Sequence, residues 1–65
     1  MTITVKQFAS LAPKQRPRAW LLTAHGNYRV LYIRGERAVC EVNRTMTRSY
    51  SVAPEERLIV VDNVQ

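Results

Sequence analysis

The stretch YRVLYIRGERAVCEVN, residues 28–43, decides the fold of this 65-residue chain. Its two halves, Tyr28–Arg34 and Arg37–Asn43, are rich in the aromatic and β-branched residues that favour strands. They are joined by Gly35-Glu36, and a glycine at the first position of a two-residue loop is typical of a type II′ turn. The stretch therefore predicts an antiparallel β-hairpin.

A two-residue loop also fixes which residues of the hairpin oppose each other. Arg34 should face Arg37, and the residues behind them should pair in step, so that Leu31 faces Cys40. Alternation along both strands then predicts a core face made of Leu31, Ile33, Ala38, Cys40 and Val42. The opposite face should carry Tyr28, Val30, Tyr32 and Val39, with Arg34 and Arg37 at its tip.

A short amphipathic helix is predicted over residues 5–12. Thr4 and Gln7 have the spacing of a capping box, in which each side chain accepts a hydrogen bond from the other residue's backbone. Apolar residues then recur at helical spacing until Pro13 stops the run. The apolar stripe is expected to be core, with a partner-binding face as the alternative.

Residues 13–18, PKQRPR, hold two prolines and three cations with no acid between them. The prolines restrict the backbone, so the segment is predicted to be an extended basic linker. Lys14, Arg16 and Arg18 would act either as an arm that contacts phosphates or as a solvated connector.

The remainder, residues 19–61, is predicted to form a β-rich body. Residues 19–25 suit either a strand or a short helix, and we favour the strand. Residues 45–52 predict a third strand, residues 53–57 a single turn begun by Pro54, and residues 58–61 a short buried strand. Residues 62–65 are interpreted as a tail, and the 65 residues as one domain.

Composition points to a basic protein of a reducing compartment. The chain has one cysteine and no apolar run near the ~20 residues that span a membrane, so we expect a cytoplasmic protein without membrane contact. Residues 1–48 carry nine Lys/Arg against two acids, or +7, and residues 49–65 carry one against three, or −2. That asymmetry favours an anionic partner. The small size also leaves a homodimer open.

Catalytic chemistry is not expected. His25 and Cys40 are the only histidine and the only cysteine, so one chain cannot assemble the usual Cys/His zinc site. Both glycines are isolated, and no phosphate-cradling loop is present. We therefore predict no enzyme activity, no metal and no cofactor.

Basic residues interleaved with aromatics form the one positive pattern. Arginines bind phosphates through two parallel hydrogen bonds, and tyrosines offer flat surfaces on which bases stack. The alternative is that the tyrosine face lies under the helix and the arginines are a solvated rim. The candidate nucleic-acid-binding residues are Lys14, Arg16, Arg18, Tyr28, Arg29, Tyr32, Arg34, Arg37, Arg44 and Arg48.

The order of elements resembles that of SH3-like small barrels. The resemblance lies in residues 19–61, chiefly the hairpin of residues 28–42 and the stretch VAPEERLIVV, residues 52–61, where a single turn precedes the last strand. It implies a mainly β fold with a short N-terminal helix, either a small barrel or a curled antiparallel sheet. A winged-helix arrangement, with residues 17–25 as its second helix and the hairpin as its wing, is the alternative.

Two functions follow from this sequence. The first is a small basic nucleic-acid-binding module, of the kind that regulates a mobile element; DNA and RNA stay open. The second is a protein-binding adaptor or inhibitor that acts through the helix stripe or a sheet edge.

Overall fold

The computed structural model describes residues 1–61, and in them it contains six strands and one short helix. The predicted tail, residues 62–65, lies outside the described residues. A 3₁₀ turn, Pro13–Gln15, separates the helix from the main body of strands. In chain order the elements are β1 (Thr2–Thr4), α1 (Val5–Ser10), β2 (Ala19–Thr23), β3 (Gly26–Arg34), β4 (Arg37–Asn43), β5 (Met46–Ser51) and β6 (Arg57–Val60).

All six strands belong to one antiparallel sheet with the order β1-β6-β2-β3-β4-β5. The mainly β class with a short N-terminal helix is thus confirmed, and β1 is a strand that the sequence did not predict. The described sheet curls but does not close into a barrel, because β1 and β5 stay at its two edges. The winged-helix alternative is wrong, since its second helix falls on strand β2.

The hairpin of β3 and β4 forms as predicted near its turn and departs from prediction further back. Arg34 pairs with Arg37 and Tyr32 with Val39, as expected from a two-residue loop. Behind them the register shifts, so that Val30, rather than Leu31, faces Cys40. Leu31 is therefore the extra residue of a β-bulge.

The bulge corrects the predicted faces. Val30 is 3% exposed and belongs to the core, whereas Leu31 is exposed. The reason is that β2 pairs Leu21 with Tyr28, which turns Tyr28 and Val30 toward the core, while the turn sets Ile33 against the buried Ala38. Residues 30 and 33 cannot share a face of a regular strand, whose side chains alternate, and one extra residue resolves the conflict.

A second bulge lies in β4. Between the pairs Glu41 with Thr47 and Asn43 with Met46, Val42 has no partner in β5. Val42 is half-buried and is not among the side chains that pack against the core, so its predicted place on the core face is wrong. On β5 itself, Tyr50 packs against the core, whereas Thr47 and Ser49 on the other side are exposed.

Helix α1 begins at the predicted capping box and ends earlier than predicted. The Thr4 hydroxyl accepts from the Gln7 backbone at 3.1 Å, and the Gln7 side chain accepts from the Thr4 backbone at 2.9 Å. The helix stops at Ser10 rather than at residue 12 because the chain must be extended before Pro13. In residues 1–61, no helix combines the length and the apolar character needed to cross a membrane.

The core lies between the helix and one face of the sheet. Val5 and Phe8 of α1 are buried in the core, as expected of the apolar stripe, whereas Leu11 is half-buried and Ala12 is exposed. Two backbone hydrogen bonds hold the start of α1, from Val5 to the Glu56 carbonyl at 2.8 Å and from Lys6 to the Pro54 carbonyl at 2.9 Å. The buried residues are Val5, Phe8, Ala19, Leu21, Val30, Ala38, Cys40, Val52, Leu58 and Val60.

Candidate nucleic-acid interface

The sheet has a second face, opposite the one on which α1 packs, and we call it the outer face. The strand pairings place its residues in rows that cross the sheet. One row joins Trp20, Arg29 and Glu41, the next joins Tyr32 and Val39, and the last joins Arg34 and Arg37. Every residue of the three rows is exposed or half-buried.

Arg34 and Arg37 form a pair of like charges at the tip of the hairpin. They are direct cross-strand partners, and both are exposed. Like charges directly opposite each other repel. Among the described residues, neither side chain makes a hydrogen bond, so an external anion placed between the two guanidiniums would relieve the repulsion and gain bidentate contacts.

This pair borders a shallow depression of about 470 Å³ on the outer face. Tyr32, 43% exposed, and Val39 form its apolar floor. Small polar side chains of β5 complete the wall. The lining residues are Tyr32, Arg34, Arg37, Val39, Thr47, Arg48 and Ser49.

The bulge at Leu31 brings Arg29 onto the same face as Tyr32 and Arg34. In a regular strand residue 29 would point away from residues 32 and 34, because side chains alternate. The extra residue reverses the phase between them, and Arg29 stands opposite Glu41 while Tyr32 stands opposite Val39. Bulges often redirect a side chain next to a functional site.

A second depression of about 510 Å³ lies further from the hairpin tip. Trp20 and Arg29, which are cross-strand partners, line it together with Arg44 from the turn after β4. Trp20 was missed as a site residue because residues 19–22, AWLL, are apolar at both phases of a strand. The structure buries Ala19 and Leu21 instead, and leaves Trp20 half-buried and Leu22 56% exposed.

The ring of Tyr28 does not lie on the outer face, although the residue lines part of the second depression. The sequence placed it beside Tyr32, but the bulge separates the two rings onto opposite faces. Tyr28 packs against the core and stacks on Tyr50, with ring centroids 6.0 Å apart and planes 11° from parallel. Its hydroxyl donates to the His25 carbonyl at 3.3 Å.

Arg16 is a structural residue and not part of an arm. Its Nε donates to the Leu11 carbonyl at 3.0 Å, one Nη donates to the Ala9 carbonyl at 3.4 Å, and the guanidinium lies 5.3 Å from the centre of the Phe8 ring. The segment 13–18 is therefore not uniformly extended as predicted, because Pro13–Gln15 turns and directs Arg16 back to the helix.

The remaining predicted site residues, Lys14, Arg18 and Arg48, lie outside the outer face or at its edge. Lys14 and Arg18 are exposed before β2, outside both depressions of the outer face. Arg48 pairs with Cys40, which directs it to the core side of the sheet, yet it also lines the depression beside Tyr32.

Cys40 and His25 are the two potentially reactive side chains, and neither lies in surroundings that favour catalysis. Cys40 is fully buried, and this burial raises the pKa of its thiol, which disfavours the reactive thiolate. His25 is exposed in the turn between β2 and β3. Within residues 1–61, no three His, Cys, Asp or Glu side chains are grouped so as to hold a metal ion. The outer face carries exposed arginines and the rings of Tyr32 and Trp20.

Comparison of the chain with protein-family models, with curated proteins and with solved structures finds no match.

Proposed function

We propose that the protein is a small, non-catalytic nucleic-acid-binding module and that the outer face of its sheet is the binding surface. The observation that carries this proposal is the alignment of Arg29, Tyr32 and Arg34 along one open face by the bulge, with Arg37 directly opposite Arg34. A phosphate backbone is the anion that meets several guanidiniums at once, and its bases supply flat partners for the ring.

Electrostatics of the whole chain support the same ligand. The formal net charge is +5, and the cations are mostly arginines, which bind phosphates in the bidentate manner. A positive field of this kind raises the rate of encounter with a polyanion and makes the affinity depend on salt. Regulation of a mobile element is proposed from size and charge, and a relationship to SH3-like barrels is proposed from the order of elements in residues 19–61.

The experiment measures binding of fluorescently labelled oligonucleotides, single-stranded and duplex, by anisotropy at two salt concentrations. We expect the double variant Arg34→Gln plus Arg37→Gln to bind at least ~10-fold more weakly at low salt. The slope of log affinity against log salt should become shallower by about 1.4 to 1.8, since each lost phosphate contact contributes about 0.7 to 0.9.

The matched control removes two positive charges elsewhere. Lys6→Gln plus Lys14→Gln has the same net charge as the double arginine variant, but Lys6 is on α1 and Lys14 on the 3₁₀ turn. We expect this control to change the affinity by less than ~3-fold. Equal losses in both variants, or no binding by the wild-type protein at low salt, would contradict the proposed surface.

The sheet edge supports a second candidate function. Strand β5 pairs with β4 on one side only, and its residues are mostly exposed, so an extended segment of another protein or of a second copy could add a strand there. An adaptor of this kind would capture its partner equally well after Arg34 and Arg37 are replaced. The double arginine variant therefore separates the two candidates.

A further inference from the structure

We propose that the ligand of the outer face is single-stranded nucleic acid and that Trp20 and Tyr32 each stack on one of its unpaired bases. The inference rests on the proposed function and adds two points. The ligand is single-stranded, and Trp20 takes part in binding it. It is carried by the placement of an exposed ring, Tyr32, and a half-buried ring, Trp20, on the face that also bears the arginines.

The spacing of Trp20 and Tyr32 suits one flexible strand of nucleic acid. Trp20 pairs with Arg29 on the next strand, and Tyr32 lies two ladder positions further along, because Arg29 faces Glu41 and Tyr32 faces Val39. One strand separation of about 4.8 Å and two residues of about 3.4 Å give a diagonal of ~8 Å between the Cα atoms. Bases that are neighbours along one extended strand can occupy both rings.

A duplex cannot use the outer face in this way. Inside a double helix the flat faces of the bases are covered by their neighbours, so a protein ring reaches them only after they unstack. Reading a duplex from its major groove requires a helix or a two-stranded ribbon that enters the groove. The only described helix, α1, has its apolar side buried under the sheet, and the outer face is the broad side of a six-stranded sheet.

The distribution of charge on the outer face also favours a single nucleic-acid strand that runs from Trp20 toward the hairpin tip. Near Trp20 the charge of Arg29 is opposed by Glu41, its direct cross-strand partner. Near Tyr32 the two cations Arg34 and Arg37 face each other with no acid in their row. The end near Trp20, where Arg44 also lies, therefore has part of its positive charge offset by Glu41, and the end near Tyr32 is the more strongly cationic and suits the phosphates.

The test uses Trp20 as its own reporter, since it is the only tryptophan of the chain. Tryptophan emission is recorded while the full chain is titrated with oligothymidylate, with its duplex with oligodeoxyadenylate, and with heparin, a polyanion that has no bases. We expect oligothymidylate to quench the emission and to bind at least ~10-fold more tightly than the duplex. Heparin should bind without comparable quenching.

Variants distinguish base stacking from nonspecific binding. Trp20→Ala and Tyr32→Ala should each weaken the binding of labelled oligothymidylate by roughly 5- to 150-fold, the range expected for one lost base stack. Tyr32→Phe keeps the ring and should bind within ~3-fold of the wild type. Leu22→Ala removes an exposed apolar side chain from the same strand and face as Trp20, and it should also bind within ~3-fold.

The outcomes distinguish this inference from the proposed function. Equal affinity for oligothymidylate and duplex with unchanged Trp20 emission would overturn the single-strand inference and leave nucleic-acid binding intact. Failure to bind any of the nucleic acids would overturn both. Folding of each variant is verified by far-UV circular dichroism, and if Trp20→Ala unfolds, the quenching measured on the wild-type protein decides alone.

Discussion

The guanidinium of Arg16 closes the C-terminal end of the helix. The last carbonyls of a helix lack partners within it, and the Ala9 and Leu11 carbonyls at this end both accept hydrogen bonds from Arg16. The same group lies over the buried Phe8 ring, where a cation is attracted by the ring electrons. One side chain thus fastens the end of α1 and the residues that follow it to the core.

Arg16→Ala should lower the free energy of unfolding by about 1 to 2 kcal/mol, the combined effect of the lost hydrogen bonds and the lost cation–π contact. Urea denaturation followed by circular dichroism measures the change. Lys14→Ala, an exposed cation two residues earlier, is the control and should stay within about 0.5 kcal/mol. Indistinguishable midpoints for the two variants would show that Arg16 is only a surface charge.

Individual side chains such as Arg16 and Trp20 were the hardest to predict. Nothing in the basic segment distinguishes Arg16 from its neighbours Lys14 and Arg18, because its partners are carbonyls that only the 3₁₀ turn brings within reach. Trp20 lies in a run that is apolar at every position, so the direction of its side chain is set by pairing with β3 and β6. The direction of the Arg16 side chain thus depends on the turn that precedes it, and that of Trp20 depends on pairing with two other strands.

At the scale of elements, the hairpin depends on the glycine of its turn. Gly35 has a φ of +60°, a conformation that costs a residue with a Cβ roughly 1 to 2 kcal/mol. No atom lies within 4 Å of the place a Cβ would take, so the backbone alone sets the cost of a substitution. Gly35→Ala should therefore lower the free energy of unfolding by about 1 kcal/mol in a urea titration.

Glu36→Ala provides the comparison for that variant. The Glu36 carbonyl accepts from the Val52 backbone at 2.9 Å, and this bond survives the loss of the side chain. The substitution should change stability by less than about 0.5 kcal/mol. A loss as large as that of Gly35→Ala would mean that the positive φ is not what the turn requires.

Elements specified by neighbouring residues were predicted correctly from the sequence, but the register between β3 and β4 was not. The capping box of α1 and the Gly35 turn are specified by residues three or fewer apart, so pattern reading found both. The bulge at Leu31 had no local signal, because residues 30–33, VLYI, suit a strand in either phase. Its position follows from the simultaneous demands of β2 and of the turn, which become visible only in the assembled sheet.

At the scale of the molecule, Cys40 links global stability to pH. Its thiol is fully buried, and burial raises its pKa above the ordinary value. At neutral pH the thiol holds its proton in both states, so it adds no pH dependence. Above the ordinary pKa of a thiol, the unfolded chain releases the proton first and is favoured, so this residue makes stability fall as pH rises toward the folded-state pKa.

Measuring urea midpoints of the wild type and of Cys40→Ala from neutral to alkaline pH tests this linkage. The variant is expected to be less stable at neutral pH because it leaves a small cavity, and to lose less stability on alkalinisation. The readout is the difference between the two curves, since tyrosines and lysines contribute equally to both. Parallel curves would show that the thiol does not contribute.

The two faces of the sheet have different surroundings. One face and the helix enclose a core that contains residues from α1 and from strands β2, β3, β4 and β6. A chain of 65 residues has little material left to cover the other face, which consequently keeps aromatic and cationic side chains in contact with solvent. Mainly β structure and a basic surface could be predicted from composition, whereas the division of faces could not.

The bulge has a consequence for how this chain tolerates changes in length. Because Leu31 is the extra residue, deleting it would leave a regular strand in which Val30 still faces Cys40 and Tyr32 still faces Val39. Inserting a further residue there would require a larger bulge, or would exchange the inward and outward side chains on one side of the insertion. We therefore expect descendants of this sequence to accept the loss of residue 31 more readily than an insertion beside it.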